Sequence, residues 1–191
     1  TIASAFCDTP LRMDWPYRGR GGKSERLNKL KTSIKLANRK IFNRSEQQGS
    51  EDRDRMGTTV VALHADHKRI YTAYVGDSRI YRFRDRQLVQ VSDDHSLLND
   101  YKQMKGLADN EVQNFPYKNV ITRACGLSEE VEVASHFEET RDGDHYLFCS
   151  DGLTDMVSTE RIEEMFGDYV DLETLCSRLI AEANDNGGED N

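Results

Sequence analysis

Several things are scarce in this chain. No apolar run approaches the roughly 18 residues that a membrane span requires, and the opening T1-I2-A3-S4 has neither a Met nor the layout of a signal peptide. Cysteine is sparse: Cys7, Cys125, Cys149 and Cys176 stand far apart with no C-x-x-C pair. That spacing signals neither a zinc site nor a disulfide framework, and it fits the reduced thiols of a cytoplasmic protein. No cysteine is followed six positions later by Arg, so the C-x5-R loop of a cysteine-nucleophile phosphatase is missing. Positive charge is also short. The formal charge of −8 argues against nucleic acid as a partner, because binding a phosphate backbone needs a net basic surface.

What is present suits one compact domain over residues 1–191: 37% of residues are hydrophobic and 31% charged, enough for a real core. The charge is segregated. Between Arg18 and Arg44 there are ten Lys/Arg against Glu25 alone, a local +9 that leaves −17 for the remainder. Within that segment Leu27, Leu30, Ile34, Ala37 and Ile41 recur at spacings of three and four, which predicts a helix with one apolar stripe and basic outer faces. The stripe implies docking on a core. The basic faces are either solvated or a surface for an acidic partner.

From Gly57 onward the period is that of strands. T58–L63 and I70–V75 flank a short polar turn. R79–F83 and Q87–V91 flank R84-D85-R86, V131–A134 follows later, and H145–C149 comes after the D142-G143 turn. Short connections predict an antiparallel meander, and the apolar end of H145–C149 predicts a central strand. Ile162, Met165 and Phe166 mark one closing helix. Leu172, Leu175, Cys176, Leu179, Ile180 and Ala183 mark another. Helices before and after an antiparallel sheet predict an α+β layered domain.

Acidic residues sit where strands end. Asp151 follows the apolar run F148-C149 in S150-D151-G152-L153-T154-D155, Asp94 and His95 follow the strand ending at Val91, and G188-E189-D190-N191 closes the chain. An isolated S-D-G is compatible with a simple Asx-type cap near Leu153. Several carboxylates in glycine-bearing loops suit a hard cation such as Mg²⁺ or Mn²⁺ instead. Two carboxylates about 4 Å apart repel by on the order of 4 kcal/mol at an effective dielectric near 20, so a cation or a shared proton must offset them.

Taken in order, MGTT at 56–59, VGDSR at 75–79, DHS at 94–96 with Asn99, NVITRACG at 119–126, SDGLTD at 150–155 and GEDN at 188–191 resemble the motifs of metal-dependent type 2C protein phosphatases, in their compact bacterial form. The resemblance covers about Leu27 to Asn191. It implies two packed antiparallel β-sheets flanked by helices, an α-β-β-α sandwich. It also implies hydrolysis of phosphoserine and phosphothreonine in proteins by a water activated by two Mn²⁺ or Mg²⁺ ions. On that resemblance Asp151 and Asp190 are metal ligands at the catalytic centre, Asp94 joins Asp151 around a third ion, and residues 97–123 form a flap that selects substrates. Asp77 and Asp155 fall to structure, the first in its turn and the second as a cap, and His95 orients its loop.

The resemblance further implies a monomer acting on phosphoproteins of a cognate serine/threonine kinase. The family's phosphate-gripping Arg and its D-G-x-G-G segment are not recognisable, and the strand after D-N is absent. The expectation is therefore a fragment incomplete at both termini. The alternative is a phosphatase-like domain that binds phosphoproteins or a regulatory partner without turnover.

Overall fold

The computed structural model describes residues 23–49, 55–66, 68–105, 115, 117, 120–168 and 170–188. Along the chain run α1 (Lys23–Gln47), β1 (Val60–Asp66), β2 (Arg69–Val75), β3 (Arg79–Arg84), β4 (Gln87–Gln90), α2 (Leu97–Lys105), β5 (Ala134–Glu139) and β6 (His145–Cys149). They are followed by α3 (Asp151–Thr154), α4 (Thr159–Gly167) and α5 (Leu172–Asp185). The strands form two antiparallel sheets, ordered β1-β2-β5 and β4-β3-β6. The expected α+β architecture of two antiparallel sheets flanked by helices is therefore present.

Helix α1 lies on the first sheet because its apolar stripe has somewhere to go. Ile34 is buried with Ala73, Val75, Cys125 and Val133, and Leu30 and Ile41 pack against that cluster. The stripe differs from the expected one in its polar members. Ala37 is exposed, whereas Asn38 and Ser45 are 1% and 0% exposed. The inward face thus runs Leu30, Ile34, Asn38, Ile41 and Ser45, a 3.6-residue period with two of its positions disguised by polarity. Helices α4 and α5 cover the second sheet. Ile162, Met165 and Phe166 join Leu175, Leu179 and Ala183 over Tyr81, Phe83 and Leu88. Leu172 and Ile180 stay exposed, so the buried stripe of α5 is narrower than its sequence suggests.

Three strand expectations need correction. The strands do not form one meander: β2 and β3 lie in different sheets, joined by the turn at Gly76. That glycine has φ +107°, and a Cβ there would lie 2.4 Å from Thr59 Cγ2, so the crossing admits only glycine. V131–A134 is not a strand. Val131 and Val133 pack under α1 from a loop, and β5 begins only at Ala134. Among the described residues β6 is an edge strand, paired with β3 alone.

Side-chain alternation explains the layer between the sheets. In β2, Tyr71, Ala73 and Val75 face α1, which leaves Ile70, Thr72 and Tyr74 on the inner face; in β3, Tyr81 and Phe83 face α4 and α5, which leaves Ile80, Arg82 and Arg84. Arg82 pairs with Glu138 of β5 across the sandwich, and Tyr146 Oη donates to the same carboxylate at 3.0 Å. Arg84 grips Asp144 with two bonds, Nε to Oδ1 at 2.7 Å and an Nη to Oδ2 at 2.6 Å. The Arg141 backbone N–H donates to Oδ2 at 2.7 Å, and the Asp144 side chain is only 3% exposed.

The Arg84 hydrogen bonds hold the Asp144 carboxyl below the usual carboxylate range. A depressed folded-state pKa contributes stability that is complete above the unfolded value and is lost as pH falls through the folded one. Asp144→Ala is expected to cost about 1.5 to 3 kcal/mol at pH 7, the range for hydrogen bonds to charged groups. The difference from the unmodified protein should shrink below about pH 4. Urea melts of both proteins across pH check this, and a pH-independent difference would remove the ion pair as its cause.

Candidate active site

The candidate residues stand where strands of the second sheet end. Strand β6 closes at Cys149, and Ser150 turns the chain into α3, whose first residue is Asp151. Asp151 Oδ1 accepts from the Gly152 N–H at 3.0 Å, and the Leu153 N–H donates to the Ser150 carbonyl at 3.3 Å. Asp155 does not cap the helix that follows. That role belongs to Ser158, whose hydroxyl accepts from the Arg161 N–H at 3.2 Å, while Asp155 terminates α3 with its backbone N–H on the Asp151 carbonyl at 2.8 Å.

Asp94 is placed by the β3–β4 hairpin. The register sets Tyr81 opposite Gln90. Past the last pair, the Val91 N–H donates to the Ile80 carbonyl at 2.7 Å, and the Ile80 N–H donates to Ser92 Oγ at 2.9 Å. The next residues bring Asp94 beside Arg79 at the head of β3. Arg79 Nε reaches both carboxylate oxygens, at 3.1 and 2.9 Å, an Nη reaches Oδ2 at 2.6 Å, and Gln90 Nε2 donates to Oδ1 at 2.8 Å. Each oxygen therefore accepts two donors. Burial works against the Arg79 charge, yet its hydrogen bonds and Coulomb attraction to Asp94 raise its pKa. A pocket of about 240 Å³ opens beside this pair, bordered by Ser92, Ser96, Asn99 and Lys102.

The Asp94 and Asp151 charges both reach Asp77. The Asp77 pKa is raised, first by burial and then by the Asp151 charge, with Asp94 adding to it; a hydrogen bond from Asp77's own backbone N–H opposes the shift. Asp77 thus sits in the turn the sequence assigned to it and also belongs to the acidic cluster, which its turn motif alone did not reveal. Cys149 lies under the same residues. Burial pushes its thiol up to about 12, with Arg79 opposing and Asp94 and Asp151 adding to the shift. It stays protonated at neutral pH, so it is no nucleophile.

His95 ties this cluster to the segment beyond α2. Its Nδ1 accepts from the Gly76 N–H at 3.0 Å, its own N–H donates to the Gly76 carbonyl at 3.0 Å, and its carbonyl accepts from the Thr122 N–H at 2.8 Å. The ring stacks on Tyr74 with centroids 5.5 Å apart, and Arg123 lies 3.3 Å from Nε2. Burial first, and then the Arg123 charge, lower its pKa. His95 therefore orients the loop through its accepting Nδ1, with Arg123 beside the other ring nitrogen, and Arg79 and Arg123 are the neighbours that reading the sequence missed. The hairpin register could have found Arg79; nothing local marks Arg123.

The chemistry of the donor set suits a hard divalent cation: the cluster is all oxygen, and burial followed by the neighbouring carboxylate charge raises the pKa of one member. Among the described residues no group of three His, Cys, Asp or Glu side chains is arranged to hold a metal. Asp190 lies outside the described residues.

Residues 14–182 match the protein phosphatase 2C family. The chain belongs to that family. It is 35% identical over 162 residues to the serine/threonine phosphatase Stp of Listeria monocytogenes, covering 85% of this chain and 64% of that protein. The chain thus spans a little under two thirds of that relative's length. The structure of a Streptococcus agalactiae serine/threonine phosphatase superposes with a TM-score of 0.82 at 33% identity, over 93% of this chain and 72% of that one. The catalytic domain of the phosphatase PstP, solved in complex with two manganese ions, superposes with a TM-score of 0.76 at 31% identity, over 99% of this chain and 73% of that one.

Proposed function

We propose that this chain is the core of a metal-dependent protein phosphatase that hydrolyses phosphoserine and phosphothreonine in proteins, with Mn²⁺ or Mg²⁺ as cofactor. The observation that carries the reading is that the Asp94 and Asp151 charges both reach Asp77 and Cys149 in a chain of the type 2C family. Asp151 and Asp94 serve as ligands, with Asp190 as a further ligand on the strength of the motif resemblance. A bound divalent ion supplies Lewis acidity and neutralises the phosphate ester.

The protein's own share is positioning. Asp151 is presented at the first turn of α3 with its carboxylate accepting from the Gly152 N–H. Asp94 is already saturated by Arg79 and Gln90, so its ligation requires giving up at least one of those bonds, consistent with a weaker, additional ion. Cys149 remains a thiol and forms no phosphoenzyme, leaving water as the nucleophile. The flap at 97–123 selects the substrate, in a single domain spanning 1–191. The protein acts as a cytoplasmic monomer on targets of a cognate serine/threonine kinase; no helix among the described residues is long and apolar enough to cross a membrane.

The test is hydrolysis of a phosphothreonine peptide by the full-length protein with Mn²⁺. Activity is expected to vanish on exhaustive chelation and to return with added Mn²⁺. Turnover that survives chelation overturns the reading.

A further inference from the structure

The outer face of α1 carries charge that the fold does not use. Arg26 pairs with Asp66 and Lys29 with Glu25, but among the described residues no ion pair involves Lys31, Lys35, Arg39, Lys40 or Arg44. The last four are exposed. Lys31, Lys35 and Arg39 recur every four residues and form one row; Leu36, Lys40 and Arg44 form the adjacent row. At 1.5 Å of rise per residue the patch is about 20 Å long. Leu36, 45% exposed, gives it a single apolar foothold. Lys35 and Arg39 border a hollow shared with Glu129 and Glu130, so the row of Lys40 and Arg44 is the less compensated one.

A protein of net charge −8 that holds uncompensated cations on one helix face has a local field opposite in sign to its surroundings, and such a field selects partners. We propose that this face of α1 docks an acidic, extended segment of the phosphoprotein substrate, apart from the phosphorylated residue itself. The proposal rests on the phosphatase reading above.

Geometry favours that occupant. An extended strand advances about 3.3 Å per residue, so roughly six residues span the patch, and acidic side chains on one side of it meet both rows. Duplex DNA is repelled by the acidic remainder of the molecule. An anionic membrane gains little from one exposed leucine with no exposed aromatic among the described residues of α1. The face is also separate from the chemistry: α1 packs on the first sheet, while Asp94 and Asp151 follow strands of the second.

The test compares the full-length protein with its K35E/R39E/K40E/R44E variant on three substrates: phosphorylated casein, a phosphothreonine peptide with neutral flanks, and p-nitrophenyl phosphate. At low salt the variant's KM for casein is expected to rise about tenfold with kcat unchanged, as expected for a rim of steering charges screened over about 10 Å at 0.1 M salt. The two small substrates should change less than about twofold on the same grounds, since neither reaches the patch. Added salt should raise the unmodified protein's KM for casein and leave the variant's flat. The swap K35R/R39K/K40R/R44K, which keeps the charge, should keep the unmodified KM.

An unchanged KM for casein, an equal loss on all three substrates, or tighter binding of phosphatidylserine vesicles or duplex DNA than of casein overturns the proposal. Should the unmodified protein hydrolyse none of the three, the phosphatase reading falls. Docking is then decided by equilibrium binding of a fluorescein-labelled polyglutamate peptide: its loss in the charge-reversed variant supports the surface, and equal binding overturns it.

Discussion

Asp151→Asn is expected to lower Mn²⁺-dependent turnover of a phosphothreonine peptide by about two orders of magnitude or more, since a metal's charge stabilisation in the transition state is worth several kcal/mol. The substitution keeps the shape of the side chain and an oxygen that can still accept from the Gly152 N–H, so α3 retains its first turn. It removes one of the charges that raise the Asp77 pKa. In the metal-free protein that charge opposes the ionisation of Asp77, so its loss should leave the melting temperature unchanged or slightly higher.

A local cap alone predicts intact turnover, because Asn caps as well as Asp and retains the contact with the Gly152 N–H. Initial rates at saturating Mn²⁺ separate the two, and thermal melts in chelator check that the variant is folded. Unchanged turnover in Asp151→Asn would remove Asp151 from the metal site.

Much of this site was legible because it sits in loops whose chemistry is local. An Asp after a buried strand, a D-H-S segment after a hairpin and a G-D-S turn each announce themselves by residue type. The family resemblance rests on their order along the chain. Their neighbours were harder to see. Arg79 reads as the last letter of a turn motif, and only the register of β3 with β4 carries Asp94 back to it.

The fold divides in the same way. Helix α1, the β1–β2 and β3–β4 hairpins and the buried stripe of α4 follow directly from period. Strand β5 does not. Its sequence ASHFEE looks like a polar loop because one face carries Glu138, which is half-buried and paired with Arg82 and Tyr146 rather than solvated. The more strand-like Val131 and Val133 serve the core from a loop. Sequence period also could not show that Gly76 sends β3 into the other sheet, because a short turn suits a hairpin equally well.

Asn38 is the most consequential of the residues that period misassigned, and its removal should be felt in stability. Its side chain is 1% exposed. Nδ2 donates to the carbonyls of Ser128 and Glu129, both at 3.0 Å, and Oδ1 accepts from the Gly126 N–H at 2.7 Å. One helical side chain thus satisfies three backbone groups of a turn some ninety residues away. The turn needs that support. Gly126 has φ +95°, and a Cβ on it would lie 2.3 Å from Ile41 Cγ2 and 2.5 Å from the Met56 carbonyl oxygen, so the backbone is pressed against α1 where water has little access.

Asn38→Ala leaves a buried N–H and two carbonyls without their partner. At about 1 to 3 kcal/mol for an unsatisfied buried group, with the carbonyls better able to find water, the expected loss is about 3 kcal/mol in all. For a domain of this size that corresponds to a melting temperature lower by roughly 10 °C. Asn38→Asp should be at least as damaging, because it sets a carboxylate against the carbonyls of Ser128 and Glu129. Scanning calorimetry on the two variants measures both effects, and a melt within about one degree of the parent would show that the turn holds without this contact.

The turn connects directly to the isolated bridge in which Thr58 and Cys125 exchange backbone bonds at 3.0 and 2.9 Å, and the bonds from Asn38 go to Gly126, Ser128 and Glu129 rather than to the acidic cluster. Well below the melt, Asn38→Ala should therefore keep the kcat that Asp151→Asn loses. Together the two variants separate what holds the domain closed from what the domain holds in place.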